Sequence, residues 1–155
     1  MWGIAQRENA RNPWAERRDL AGAANRVHIV GMSVPRPLAK LRRLCLALPE
    51  AHEVEAWGEP TFRVRNKLFA MFASASNHHG FGRHSAWCKC TATNQQLLIQ
   101  ADSGRYFSPP YVGKSGWVGV YLDGSPDWDG LGDLLRDGYL MTAPARLKKL
   151  LGELK

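Results

Sequence analysis

Between Thr61 and Phe72 the sequence leaves little choice of geometry. Phe62 and Val64 alternate with Thr61, Arg63 and Arg65, Asn66 interrupts, and Lys67 to Phe72 turns apolar again. A period of two marks a half-buried strand, and asparagine tolerates left-handed backbone, so the segment predicts two strands joined by a tight turn at Asn66. A hairpin commits the chain to antiparallel pairing, and its apolar face requires a second layer to cover it.

The flanking patterns supply that layer. Leu38, Leu41, Cys45 and Leu48 recur at three- and four-residue steps, which predicts a helix running to Pro49 with Arg36, Lys40, Arg42 and Arg43 largely off its apolar stripe. Beyond a His- and Gly-rich connection at 77–83, Ser85 to Cys90 reads as a third strand. Thr93 with Gln96 three residues later reads as a capping-box start for a second helix. Pro109 and Pro110 confine the stretch from Phe107 to Tyr111 to an extended segment or a sheet edge. Trp117 to Leu122 reads as a strand, Ser125-Pro126 as the entry to a helix carrying Trp128, Leu131, Leu134 and Leu135, and Pro144 as the opening of a last helix with Leu147, Leu150 and Leu151. Helix first, strands in the middle and helices last give an α+β fold: a single antiparallel sheet with helices packed on one face.

The first 31 residues are patterned differently. Arg7, Arg11, Arg17, Arg18 and Arg26 alternate with Glu8, Glu16 and Asp19 without apolar periodicity, so residues 1–31 read as a poorly patterned, flexible extension and residues 32–155 as the domain. That stretch has neither the apolar core of a secretory signal nor the freedom from acids of a transit peptide. Across the chain Lys and Arg exceed Asp and Glu by seven, and the extension contributes only two of that excess. A cationic surface of this kind attracts polyanions. Cys45, Cys88 and Cys90 are odd in number and form no disulfide framework, which fits a reducing cytoplasm. No apolar run approaches the roughly 20 residues of a membrane span, so no membrane is expected among the partners.

Several segments together resemble the MmcQ/YjbR-like family. They are Leu44 to Glu50 (LCLALPE), Trp57 to Phe69 (WGEPTFRVRNKLF), Trp87 to Cys90 (WCKC), Tyr106 to Tyr111 (YFSPPY), Gly116 to Val118 (GWV) and Asp137 to Pro144 (DGYLMTAP), in that order along residues 36–150. The resemblance implies a CyaY-like (frataxin-like) α-β-α fold with one sheet, and a double-wing DNA-binding role. Lys89 matches a lysine common in the family and Cys90 an ordinary apolar strand position. Two residues depart from the pattern: Asn66 stands where glycine is usual, and Leu140 where a basic residue is common. The iron chemistry of frataxins does not follow from the shape, because it needs clustered carboxylates and the first helix carries Arg36, Lys40, Arg42 and Arg43 instead.

The candidate phosphate contacts are Arg63, Arg65 and Lys67 on the hairpin, with Lys89, Lys114, Arg146 and Lys148 as neighbours that would enlarge the same patch. The reading is of a non-catalytic DNA-binding protein. The alternative is a protein- or small-ligand-binding module with a pocket of Trp57, Tyr111 and Trp117. No metal site or cofactor is expected: His78, His79, His84, Cys88 and Cys90 lack the paired ligands, typically about two to four residues apart, of a structural zinc site. No phosphate loop, nucleophile elbow or His-Glu-x-x-His motif supports an enzyme.

Overall fold

The hairpin forms, and it lies inside a wider sheet. The computed structural model describes residues 34–76 and 82–153. The extension expected over residues 1–31, together with His78 and His79, lies outside the described residues. Along the chain come α1 (Arg36–Leu46), β1 (His52–Ala56), β2 (Glu59–Val64), β3 (Lys67–Ala73), β4 (Ser85–Cys88), α2 (Ala92–Ala101) and β5 (Tyr106–Phe107). A short 3-10 turn (Gly113–Ser115), β6 (Val118–Tyr121), α3 (Trp128–Leu140) and α4 (Ala145–Glu153) follow. The strands make one sheet in the order β1-β2-β3-β4-β6-β5, antiparallel at every pairing. This is the expected α+β class.

Two-residue turns join β1 to β2 and β2 to β3, and in each the two central residues take positive φ: Trp57 (56°) with Gly58 (77°), and Arg65 (51°) with Asn66 (63°). Such turns match the right-handed twist of the strands they join. Left-handed backbone at Asn66 was expected; at Arg65 it was not. The alternation of β2 therefore stops at Val64, and Arg65 belongs to the turn. β1 was also not anticipated, because its sequence, His-Glu-Val-Glu-Ala, is that of a polar edge strand.

One face of the sheet is covered by Leu38, Leu41 and Cys45 of α1, Leu131, Leu135 and Tyr139 of α3, and Leu147 and Leu151 of α4, which bury Phe62, Phe69 and Phe72 beneath them. The Tyr139 ring meets Phe69 edge-on at 5.7 Å, and its hydroxyl donates to the Pro49 carbonyl at 2.7 Å. That bond pins the α1–β1 connection to α3. Arg42 of α1 also donates to both oxygens of Glu53 on β1, at 2.6 and 2.9 Å. At Gly138 the backbone of α3 approaches the sheet so closely that a Cβ would stand 2.8 Å from the Lys89 carbonyl oxygen and 3.2 Å from that of Phe69.

The opposite face is not a bare polar surface. Met71, Ala73 and Trp87 pack there against Val112 and Trp117 from the segment between β5 and β6. The Gln95 side chain of α2 clips that segment in place, its Nε2 donating to the carbonyls of Gly113 (2.8 Å) and Trp117 (2.6 Å). The N-cap of α2 is Thr91, whose hydroxyl accepts from Asn94 N at 3.1 Å, two residues before the expected Thr93. Likewise Asp127 caps α3, two residues after Ser125. Among the described residues no helix is long and apolar enough to cross a membrane.

Candidate functional site

Strand register places most of the candidate cations at one end of the sheet. Val64 pairs with Lys67 across the Arg65-Asn66 turn, Ala70 pairs with Cys88, and Cys88 pairs with Val118. The turn, the chain leaving β4 through Lys89, and the Lys114 turn entering β6 therefore leave the sheet on the same side. Close packing ties these exits together. A Cβ on Gly116 would stand 2.8 Å from Ala92 N and 2.9 Å from the Cys90 carbonyl oxygen, so the Lys114 turn abuts the chain beyond Lys89. Arg65, Lys67 and Lys114 are exposed and Lys89 is half-buried.

Helix α4 reaches the same end through an acid. Glu50, on the α1–β1 connection, lies 3.6 Å from Arg65 Nη2 through Oε1 and accepts a hydrogen bond from Arg146 Nη2 through Oε2. Arg146 beside it, and then Arg65, hold the Glu50 carboxyl below its ordinary range. Lys148 is exposed on the same helix.

Arg63 departs from the expectation of an outward-facing phosphate ligand. It is only 3% exposed, with Nε donating to the Thr61 hydroxyl at 3.2 Å and Nη1 3.5 Å from Asn66 Oδ1. Two causes combine. The register shifts at Phe62/Arg63, and the sheet face carrying Thr61 and Arg63 is packed rather than solvated. Burial correspondingly lowers the guanidinium pKa. The side chain thus braces β2 and the Asn66 turn from beneath. Arg63→Ala is expected to lower stability by about 1–3 kcal/mol, through lost packing and the lost hydrogen bond to buried Thr61, while leaving polyanion affinity unchanged. Urea unfolding beside a binding isotherm checks both halves of that expectation.

The aromatic pocket is not assembled as expected either. Trp117 is a core residue beside Trp87 and Met71. Trp57 lies at the β1–β2 turn, at the opposite end of the sheet from Trp117, which enters β6 opposite Cys88. Tyr111 is 71% exposed with φ at 68°.

At that opposite end lies a cleft of about 220 Å³ in which two arginines face two aspartates. Arg83 holds Asp123 through two hydrogen bonds (2.6 and 2.7 Å) and lies 3.6 Å above the Tyr121 ring, while Arg105 is 3.5 Å from Asp102. The cleft is charge-balanced, unlike the basic end.

For metal binding, no group of three or more His, Cys, Asp or Glu converges among the described residues. His84 accepts from Ala75 N at 2.9 Å and stacks on Phe72. Cys45, Cys88 and Cys90 are free and buried, and burial pushes all three thiols up. Because the thiolate is the reactive form, all three are expected to resist Ellman's reagent at pH 8 in the folded protein and to react together on unfolding. A labelling time course with and without denaturant checks this.

The sequence profile of the YjbR family matches residues 46–141, from the end of α1 to the end of α3. The chain belongs to the YjbR family. Among solved structures, a Deinococcus radiodurans protein with a DUF419 domain covers 70% of this YjbR chain and 81% of its own length, with a TM-score of 0.58 at 24% identity, a likeness of fold. A search of the curated proteins found no match. Arg63, Arg65, Lys67, Lys89 and Lys114 fall within the matched stretch of the YjbR chain, and Arg146 and Lys148 beyond it.

Proposed function

We propose that this YjbR-family protein is a non-catalytic DNA-binding protein that grips duplex phosphates with the basic end of its sheet. The observation that carries the reading is the convergence of Arg65, Lys67, Lys89, Lys114 and Arg146, which come from four separate stretches of sequence and leave the fold at one end. Neighbouring strands lie about 4.8 Å apart, so the span from β2 to β6 is roughly 15 Å. Duplex DNA carries a charge about every 1.7 Å of axis with both strands counted, so roughly nine lie along such a length, and about half of them on one side match the five cations.

The roles divide by chemistry. Arg65 and Arg146 offer forked donors suited to bidentate phosphate contacts, and the lysines act as point charges that neutralise without demanding a fixed geometry. Phosphate contacts position a protein without reading sequence. The complex is therefore sequence-tolerant, formed in the cytoplasm and independent of metal or cofactor. The wing is the Arg65-Asn66 turn, braced from within by Arg63.

Fluorescence anisotropy of the full chain with a labelled 20-bp duplex at low salt tests the reading. Binding that a second, unrelated duplex sequence matches is the expected result. Absence of binding at low salt contradicts it.

A further inference from the structure

The basic end contains one acid in an unusual setting. Glu50 takes φ of 58°, a left-handed conformation that a side-chain-bearing residue adopts only when its surroundings impose it. The preceding carbonyl, that of Pro49, is held by the Tyr139 hydroxyl at 2.7 Å. The result is a carboxylate held between Arg65 and Arg146, whose side chains are 54% and 60% exposed. Among the described residues Glu50 is the only ion-pair partner of either arginine, and Nη2 of each faces it.

We propose that Glu50 is an internal competitor for the ligand, its carboxylate occupying the seat between Arg65 and Arg146 that a backbone phosphate takes on binding. The inference rests on the nucleic-acid reading above and adds to it a defined single-phosphate subsite and a residue that sets its affinity. A carboxylate and a phosphodiester each carry one negative charge and present oxygens to the same guanidinium forks. Entry of the phosphate displaces the carboxylate to solvent, and its charge then stands beside the ligand.

Glu50 has an opposite possible effect, which is to hold the two arginines in place for the phosphate. Relative magnitude decides between them. Exposed ion pairs constrain side chains weakly and are screened by salt, whereas an uncompensated carboxylate beside the phosphate subtracts nearly a full charge from the patch. Competition therefore outweighs positioning.

The test is E50Q in the full chain, which removes the charge and keeps the shape, titrated with the labelled 20-bp duplex and separately with inorganic tripolyphosphate. E50Q is expected to bind the duplex about five- to tenfold more tightly at 0.1 M salt, with a salt slope steeper by nearly one unit. The gain is expected to vanish in a background carrying R65Q and R146Q, because the coupling requires the fork. Unchanged or weaker duplex binding by E50Q overturns the proposal, as does a gain that survives without the arginines. Should neither protein bind duplex while E50Q binds tripolyphosphate more tightly, the subsite stands and the DNA reading falls. If the wild type binds duplex and E50Q gains for neither ligand, the competitor proposal falls and the DNA reading stands; if neither protein binds either ligand, both fall.

Discussion

Gly116→Ala is expected to lower stability by about 2–5 kcal/mol. Gly116 follows the 3-10 turn and takes φ of 97°. A side chain there incurs left-handed strain of about 1–2 kcal/mol before it touches anything. The added Cβ then meets Ala92 N at 2.8 Å, the Cys90 carbonyl oxygen at 2.9 Å and the Thr91 carbonyl carbon at 3.0 Å. All three are backbone atoms at the start of α2, so no rotamer change relieves the contact, and overpacking of this kind costs about 1–3 kcal/mol more. Relief requires the Lys114 turn to separate from α2, which pulls on the Gln95 hydrogen bonds to Gly113 and Trp117. Denaturant unfolding of Gly116→Ala beside wild type measures the difference. A loss below 0.5 kcal/mol, on the order of an ordinary surface substitution, contradicts the close packing that holds Lys114 at the basic end.

The second large effect concerns binding. Replacing Arg65, Lys67, Lys89 and Lys114 together by glutamine is expected to weaken duplex affinity about four-thousandfold at 0.1 M salt. Each phosphate neutralised adds roughly 0.9 to the slope of log affinity against log salt, and at 0.1 M each such unit is worth about a factor of eight. Glutamine keeps part of each aliphatic stem, which matters most for half-buried Lys89 beside Gly138. Circular dichroism and a melting temperature close to wild type would confirm that the fold persists. Arg63→Ala serves as the internal control, since it costs stability but no affinity. If it abolished binding in a folded protein, the bracing role assigned to Arg63 would be incorrect.

The sequence reveals what depends on local periodicity. The β2–β3 hairpin, the apolar stripe of α1 and the edge placement of β5 beside Pro109-Pro110 are all legible, because each follows from the spacing of a few residues. What depends on pairing across the sheet is not. Strict alternation puts Arg63 and Arg65 on one outward side. In the fold, the register shift at Phe62/Arg63 and the positive φ of Arg65 separate them, and only Arg65 reaches solvent. The packing of Val112 and Trp117 over the second face also has no local signature. For that reason a pocket around Trp117 was a reasonable expectation and a core cluster is what forms. β1 escapes notice because its pattern is weak and its stabilising partner, the Arg42–Glu53 pair, spans two elements. Glu50 was visible only as part of the quoted Leu44–Glu50 segment. Its position between Arg65 and Arg146 joins residues 96 apart in sequence, a contact no spacing rule anticipates.

The most direct measurement of the central claim is the salt dependence of duplex binding by the full chain, followed by anisotropy from about 50 to 300 mM salt. Five phosphate contacts predict a log-log slope of about −4 to −5, falling to about −1 in the quadruple glutamine variant. A flat dependence, or a steep one that the variant retains, would contradict binding through the basic end of the sheet.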